Sequence, residues 1–174
     1  AFETAAGAFD METSPRTAKA LQILSGKAGI YGMIGGQVVD VESEGQPLSR
    51  EKLDFIYRLK TSALIEAAMM VGAVLAGASD EEVAAMERVA GDVGLAFQIQ
   101  DDILDVTSTL EVLGKPIHSD DKNNKTTYVT LEGLDKAKKD VEEISERALS
   151  TLASLEHKNA FLEELIRMLI TREK

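Results

Sequence analysis

The sequence has no cysteine and no tryptophan, only 3 prolines, and aromatic residues at 5% of its 174 positions. Without cysteine there can be no disulfide framework, no thiolate zinc site and no cysteine nucleophile, and the composition fits a reducing compartment. Basic residues are scarce as well: 19 Lys and Arg stand against 30 Asp and Glu, a formal net charge of −11. Phosphate backbones are held by surplus Lys and Arg in patches or stripes, so this balance argues against nucleic-acid binding. No apolar stretch reaches the roughly 20 residues needed to cross a bilayer without a charge or glycine interrupting it, and the N-terminus lacks the basic-then-apolar layout of a secretory signal. The expectation is a cytoplasmic protein without membrane insertion.

What remains is 44% apolar and rich in Ala, Leu, Met and Glu, broken by Gly or short polar clusters. That composition predicts one nearly all-helical domain over 1–174, with little support for strands. Helices are expected at about 2–9, 15–42, 49–77, 80–106, 134–155 and 158–172. Thr13-Ser14-Pro15 and Ser79-Asp80-Glu81-Glu82 are N-terminal cap signatures, one with Pro just inside the helix and one with acids in its first turn. The stretch from Thr107 to Asn124 loses periodicity and carries Gly, Pro, Ser and Asp, which predicts a loop over 107–124 with a binding or lid role. The helix running on from Lys60 is apolar nearly all round and is expected to be central.

The chemistry concentrates in Phe97-Gln98-Ile99-Gln100-Asp101-Asp102-Ile103-Leu104-Asp105, where three carboxylates interrupt an apolar helical run. At about 100° per residue Asp101 and Asp105 share a face one turn apart with Gln98 a turn earlier, while Asp102 points about 100° away. Like charges at that spacing repel, so they need a cation. Oxygen ligands with no His or Cys nearby favour Mg²⁺, which completes its shell with water and substrate phosphates. A phosphate ester substrate follows, and Lys60, Lys115 and Lys125 supply basic residues on either side. An EF-hand is excluded, since the loop Gly and the acid at its twelfth position are missing. Taken singly, each feature has an ordinary explanation: a solvated acidic face, a surface lysine, a glycine-mediated helix crossing.

Together with Gly35-Gly36-Gln37-Val38-Val39-Asp40, Lys60-Thr61, Gly114-Lys115 and Asn124-Lys125-Thr126-Thr127-Tyr128, that segment follows the order and approximate spacing of motifs in the trans-polyprenyl diphosphate synthases. The chain resembles that family, in its bacterial farnesyl diphosphate form, from its first residues to about Ala148. The resemblance implies the all-α isoprenoid-synthase helical bundle and a Mg²⁺-dependent prenyltransferase. Such an enzyme condenses isopentenyl diphosphate with dimethylallyl or geranyl diphosphate, using three Mg²⁺ that bridge to the diphosphate. It implies Asp101 and Asp105 as direct metal ligands, Asp102 behind them, and Asp40 reaching the metals through water. It assigns Lys60, Gln98, Gln37, Lys115 and Lys125 to substrate, with Thr61 and Gln98 also turned toward the developing carbocation. A homodimer is implied too.

The family carries two facing aspartate motifs and only the second is in this sequence, so we expect the C-terminal portion of a longer protein, inactive by itself. Three alternatives stay open: a geranylgeranyl diphosphate synthase, a class I terpene cyclase, and a non-catalytic diphosphate-binding subunit or helical interaction module. The cyclase is disfavoured because its second metal motif is usually an Asn/Ser/Glu pattern.

Overall fold

The computed structural model describes residues 1–108, 125–170 and 172, and no strand occurs among them. In chain order the helices are α1 (Phe2–Ala6), α2 (Ala8–Met11), α3 (Pro15–Ala28), α4 (Met33–Glu42), α5 (Arg50–Ile56), a π-helical turn (Tyr57–Ser62), α6 (Ala63–Ala76), α7 (Asp80–Thr107), α8 (Tyr128–Glu132), α9 (Leu134–Ser154) and α10 (Ala160–Ile170). The all-α class is as the sequence predicts, and both cap signatures are made. Ser14 accepts from the Thr17 amide, and Ser79 forms a reciprocal capping box with Glu82.

The 28-residue helix α7 is the axis of the bundle. It packs along α9 and α6, and α6 in turn packs on α3. Val89, Val93, Ala96, Ile99 and Ile103 recur at three- and four-residue intervals and form one apolar stripe, which meets Val141, Ile144, Ala148 and Leu152 of α9. Burying that stripe against α9 holds the acidic end of α7 in place.

Three departures from the predicted helices have physical causes. The helix expected over 15–42 is interrupted between Ala28 and Met33, because Gly32 adopts φ −134° and ψ −126°, where a side chain's Cβ would lie 1.9 Å from the Lys27 carbonyl oxygen. The helix expected over 2–9 divides at Gly7. The third is the short helix α8, which appears where none is predicted and is started by Thr127 as its cap.

The continuous helix Arg50–Ala76 has the length and mean hydropathy to cross a membrane, although, as the sequence reading has it, charges and a glycine (Lys60, Glu66 and Gly72 among them) interrupt its apolar run. In this fold it lies between α3, α4 and α7. Its buried Glu66 accepts a hydrogen bond from Lys27, which also donates to Glu87 at 2.5 Å. Desolvation opposes the charge on Lys27, but the bonds to Glu66 and Glu87 outweigh it and its pKa is raised.

Candidate active site

The site begins with the π turn. Widened turns of this kind are rare inside α-helices and concentrate at functional positions. Here the turn spans Tyr57–Ser62 and carries Lys60 and Thr61. Two glycines let neighbouring helices close on it. A Cβ at Gly36 of α4 would stand 2.4 Å from the Lys60 amide nitrogen and 2.8 Å from the Leu59 carbonyl carbon, and one at Gly94 of α7 would stand 2.3 Å from Ser62 Oγ. The Gly-Gly-Gln segment therefore brings α4 against the Lys60 backbone.

Two polar rungs tie the turn to α7, which runs antiparallel to it. Thr61 Oγ1 donates to Gln98 Oε1 at 2.8 Å, and Tyr57 Oη donates to Asp102 Oδ2 at 2.5 Å. Residues 57 and 61 are one turn apart, as are 98 and 102, so the rungs fix both the rotation and the register of α7. The same Asp102 oxygen accepts the Tyr128 amide at 2.8 Å. Tyr128 is itself buried, with its hydroxyl donating to Asp140 at 2.7 Å and Arg50 stacked 4.1 Å over its ring. Burial, then the bond to Asp140, push its phenol pKa well up, so it stays a neutral donor.

Asp102 is thus turned into the core, as its 100° offset predicts, and joins the π turn to α7 and α8. Asp101 and Asp105 lie on the neighbouring face. Asp105 is buried at 4% exposure, whereas the Asp101 side chain is 36% exposed. Among the described residues no group of three His, Cys, Asp or Glu side chains is placed to hold a metal by itself. A pair of hard carboxylates supplying only part of a shell suits Mg²⁺, which keeps water and substrate oxygens as its other ligands. The donor set fits the ion.

The cationic side of the site centres on Asp40, whose carboxylate receives Lys60 Nζ at 2.5 Å and lies 3.9 Å from Lys125 Nζ. Two lysines on one carboxylate leave a surplus positive charge. Gln37, Asp40, Lys125 and Thr126 line an adjoining cavity of about 320 Å³. Folding thus gathers Gln37, Asp40, Lys60 and Lys125 into one cluster, and Thr61 and Gln98 into contact with each other. Lys115 and most of the predicted 107–124 loop lie outside the described residues.

Sequence reasoning passed over two residues: Tyr57, one turn before Thr61, and Arg172 near the end of the chain. Arg172 donates to Asp101 Oδ1 at 3.0 Å and stacks 3.7 Å over Phe97. Tyr57 carried a signal, being an aromatic hydroxyl four residues from Thr61 in a helix that had to face α7. Arg172 carried none.

A lysine–carboxylate cluster and an Asp101/Asp105 pair, carried on elements tied together by the Thr61–Gln98 bond, coincide with a match of residues 3–165 to the polyprenyl synthetase family. The chain belongs to that family. It is 44% identical over 150 residues to a dimethylallyltranstransferase of Fischerella ambigua, covering 86% of this chain and 43% of that protein. It is 41% identical to a farnesyl diphosphate synthase of Geobacillus stearothermophilus over 118 residues, covering 68% and 40%. With a chloroplastic geranylgeranyl pyrophosphate synthase of Catharanthus roseus it shares 38% identity over 161 residues, covering 92% and 45%. Among solved structures it is similar to a geranyltransferase of Helicobacter pylori in complex with magnesium and isoprenyl diphosphate. That likeness has a TM-score of 0.79 at 35% identity and covers 97% of this chain and 55% of that one. The chain therefore spans less than half the length of these curated relatives.

Proposed function

We propose that the full-length protein is a trans-prenyltransferase that condenses isopentenyl diphosphate with dimethylallyl or geranyl diphosphate to give farnesyl diphosphate. The observation that carries this is the pairing of Thr61 with Gln98. It sets the lysine-bearing π turn one helical turn from Asp101.

Lys60 and Lys125 bind diphosphate oxygens, drawing on the positive charge that Asp40 leaves uncompensated between them. Mg²⁺ held by Asp101 and Asp105 would neutralise charge on the departing diphosphate. The Thr61 hydroxyl donates its hydrogen bond to Gln98, which keeps the lone pairs of Thr61 and the second lone pair of Gln98 Oε1 available to the cation left behind. Asp102 holds the frame on which these groups sit. The family resemblance assigns Lys115 to the same diphosphate. We place the protein in the cytoplasm and read its assembly as a homodimer.

The test supplies the full-length protein with Mg²⁺, isopentenyl diphosphate and each allylic diphosphate in turn, and measures product chain length by mass spectrometry. Farnesyl diphosphate as the end product supports the reading. Further extension to the geranylgeranyl product would place the protein with its Catharanthus relative. No product from the full-length protein would favour a diphosphate-binding subunit.

A further inference from the structure

We infer that Arg172 is a resident cation of the aspartate site, seated on Asp101 in the metal-free protein and displaced when a divalent metal binds. The inference rests on Asp101 being a metal ligand, as proposed above. Three residues within about one turn of α7 make the seat: Phe97 lies under the guanidinium at 3.7 Å, Asp101 accepts its Nη2 at 3.0 Å, and Gln100 Nε2 donates to the Arg172 carbonyl at 3.3 Å. Residues 97, 100 and 101 share one helical face. Arg172 follows shortly after α10, which ends at Ile170.

The seat suits a guanidinium incompletely. Among the described residues Arg172 makes a single nitrogen–oxygen bond to Asp101, where a parallel fork would make two, and its buried Nε has no hydrogen-bond partner. A buried donor without an acceptor disfavours the seated state, which makes Arg172 a cation that a stronger one can replace. Mg²⁺ is such a cation. It carries twice the charge and holds an octahedral shell at about 2.0–2.1 Å whose waters crowd the carboxylate. A guanidinium stacked on Phe97 and a dication on Asp101 would repel across a few ångströms of half-buried protein. Occupancy by one therefore weakens the other, and the coupling is reciprocal. In the metal-free protein Arg172 offsets part of the repulsion between Asp101 and Asp105.

The test uses the full-length protein and Mn²⁺ alone as a paramagnetic substitute for Mg²⁺, with bound and free ion counted by electron paramagnetic resonance. Arg172→Gln is expected to bind Mn²⁺ roughly threefold to tenfold more tightly than wild type, the size of one charge-assisted bond removed from competition. Amide exchange at Arg172 should accelerate when Mn²⁺ is added to wild type. Equal or weaker Mn²⁺ binding by Arg172→Gln overturns the displacement. The double variant Asp101→Asn, Asp105→Asn separates the two claims. If it loses Mn²⁺ while Arg172→Gln is unchanged, only the role of Arg172 falls; if it binds as wild type does, the metal assignment falls and the displacement with it.

Discussion

Replacing Gly36 by alanine tests whether the fit of α4 against the π turn is what aims Lys60. The added Cβ would meet the Lys60 nitrogen at 2.4 Å and the Leu59 carbonyl carbon and Cβ at 2.8 Å each. None of these is the tip of a flexible side chain, so no rotamer change relieves the contact. Either α4 or the turn must move by roughly 1 Å to reach ordinary packing distance. Overpacking of this kind costs about 1–3 kcal/mol of stability, which for a chain of this size lowers Tm by roughly 2–12 °C. The functional effect is expected to be at least as large. A displacement near 1 Å at a positioned group can cost about a hundredfold in rate, equivalent to roughly 2.7 kcal/mol of transition-state stabilisation. Thermal unfolding of the full-length protein and its kcat/KM in the proposed prenyl transfer measure both. Gly26→Ala is the control: nothing lies within 4 Å of its Cβ position in the exposed face of α3, so it should stabilise by about 0.5–1 kcal/mol at unchanged turnover. If Gly36→Ala melts and turns over as wild type does, the close approach of α4 is not what positions Lys60.

Asp101→Ala should lower turnover by orders of magnitude and leave the urea midpoint near wild type. Asp102→Ala should reduce stability by about 3–5 kcal/mol, since it strands the Tyr57 hydroxyl and the Tyr128 amide in a buried place; equal unfolding midpoints for the two variants would refute this division of roles. Ile99→Ala, at a position with no exposed surface, should cost about 2–5 kcal/mol in denaturant unfolding, and a loss below 1 kcal/mol would mean that the α7–α9 seam repacks freely. The hydrogen bond and charge of Glu82 raise the His157 pKa above its ordinary value, while Ser79 and then His157 lower that of Glu82. The contribution of His157 is therefore present below about 6.5 and fades as pH rises through its folded value, and that of Glu82 is lost as pH falls through its own. Proton-detected titration should show the His157 midpoint moving down in Glu82→Gln, and an unchanged midpoint would remove Glu82 as the cause.

How much could be read beforehand differs from residue to residue. Ser79 and Glu82 foretold the start of α7, because a capping box is a local exchange of hydrogen bonds between residues three apart. The one-turn spacing of Asp101 and Asp105, and the different direction of Asp102, followed from helical geometry alone. Lys60 and Thr61 were picked out, yet the π turn that carries them was not, since helix propensity does not distinguish a widened turn from a regular one. The break at Gly32 and the helix after Thr127 were missed for a related reason. Each is settled by how the backbone must pass a neighbour or be capped, and a periodicity of apolar residues is blind to both.

By itself, then, the sequence determined the helical class, the caps, the apolar stripe of α7 and the set of chemically committed side chains, because these depend on residues within about two turns of one another. Only the tertiary structure decided which of those side chains meet. Thr61 reaches Gln98 across 37 positions, Tyr57 reaches Asp102 across 45, and Arg172 reaches Asp101 across 71. Bonds at such separations form only after packing has closed the intervening chain, and no local pattern records the register in which that happens.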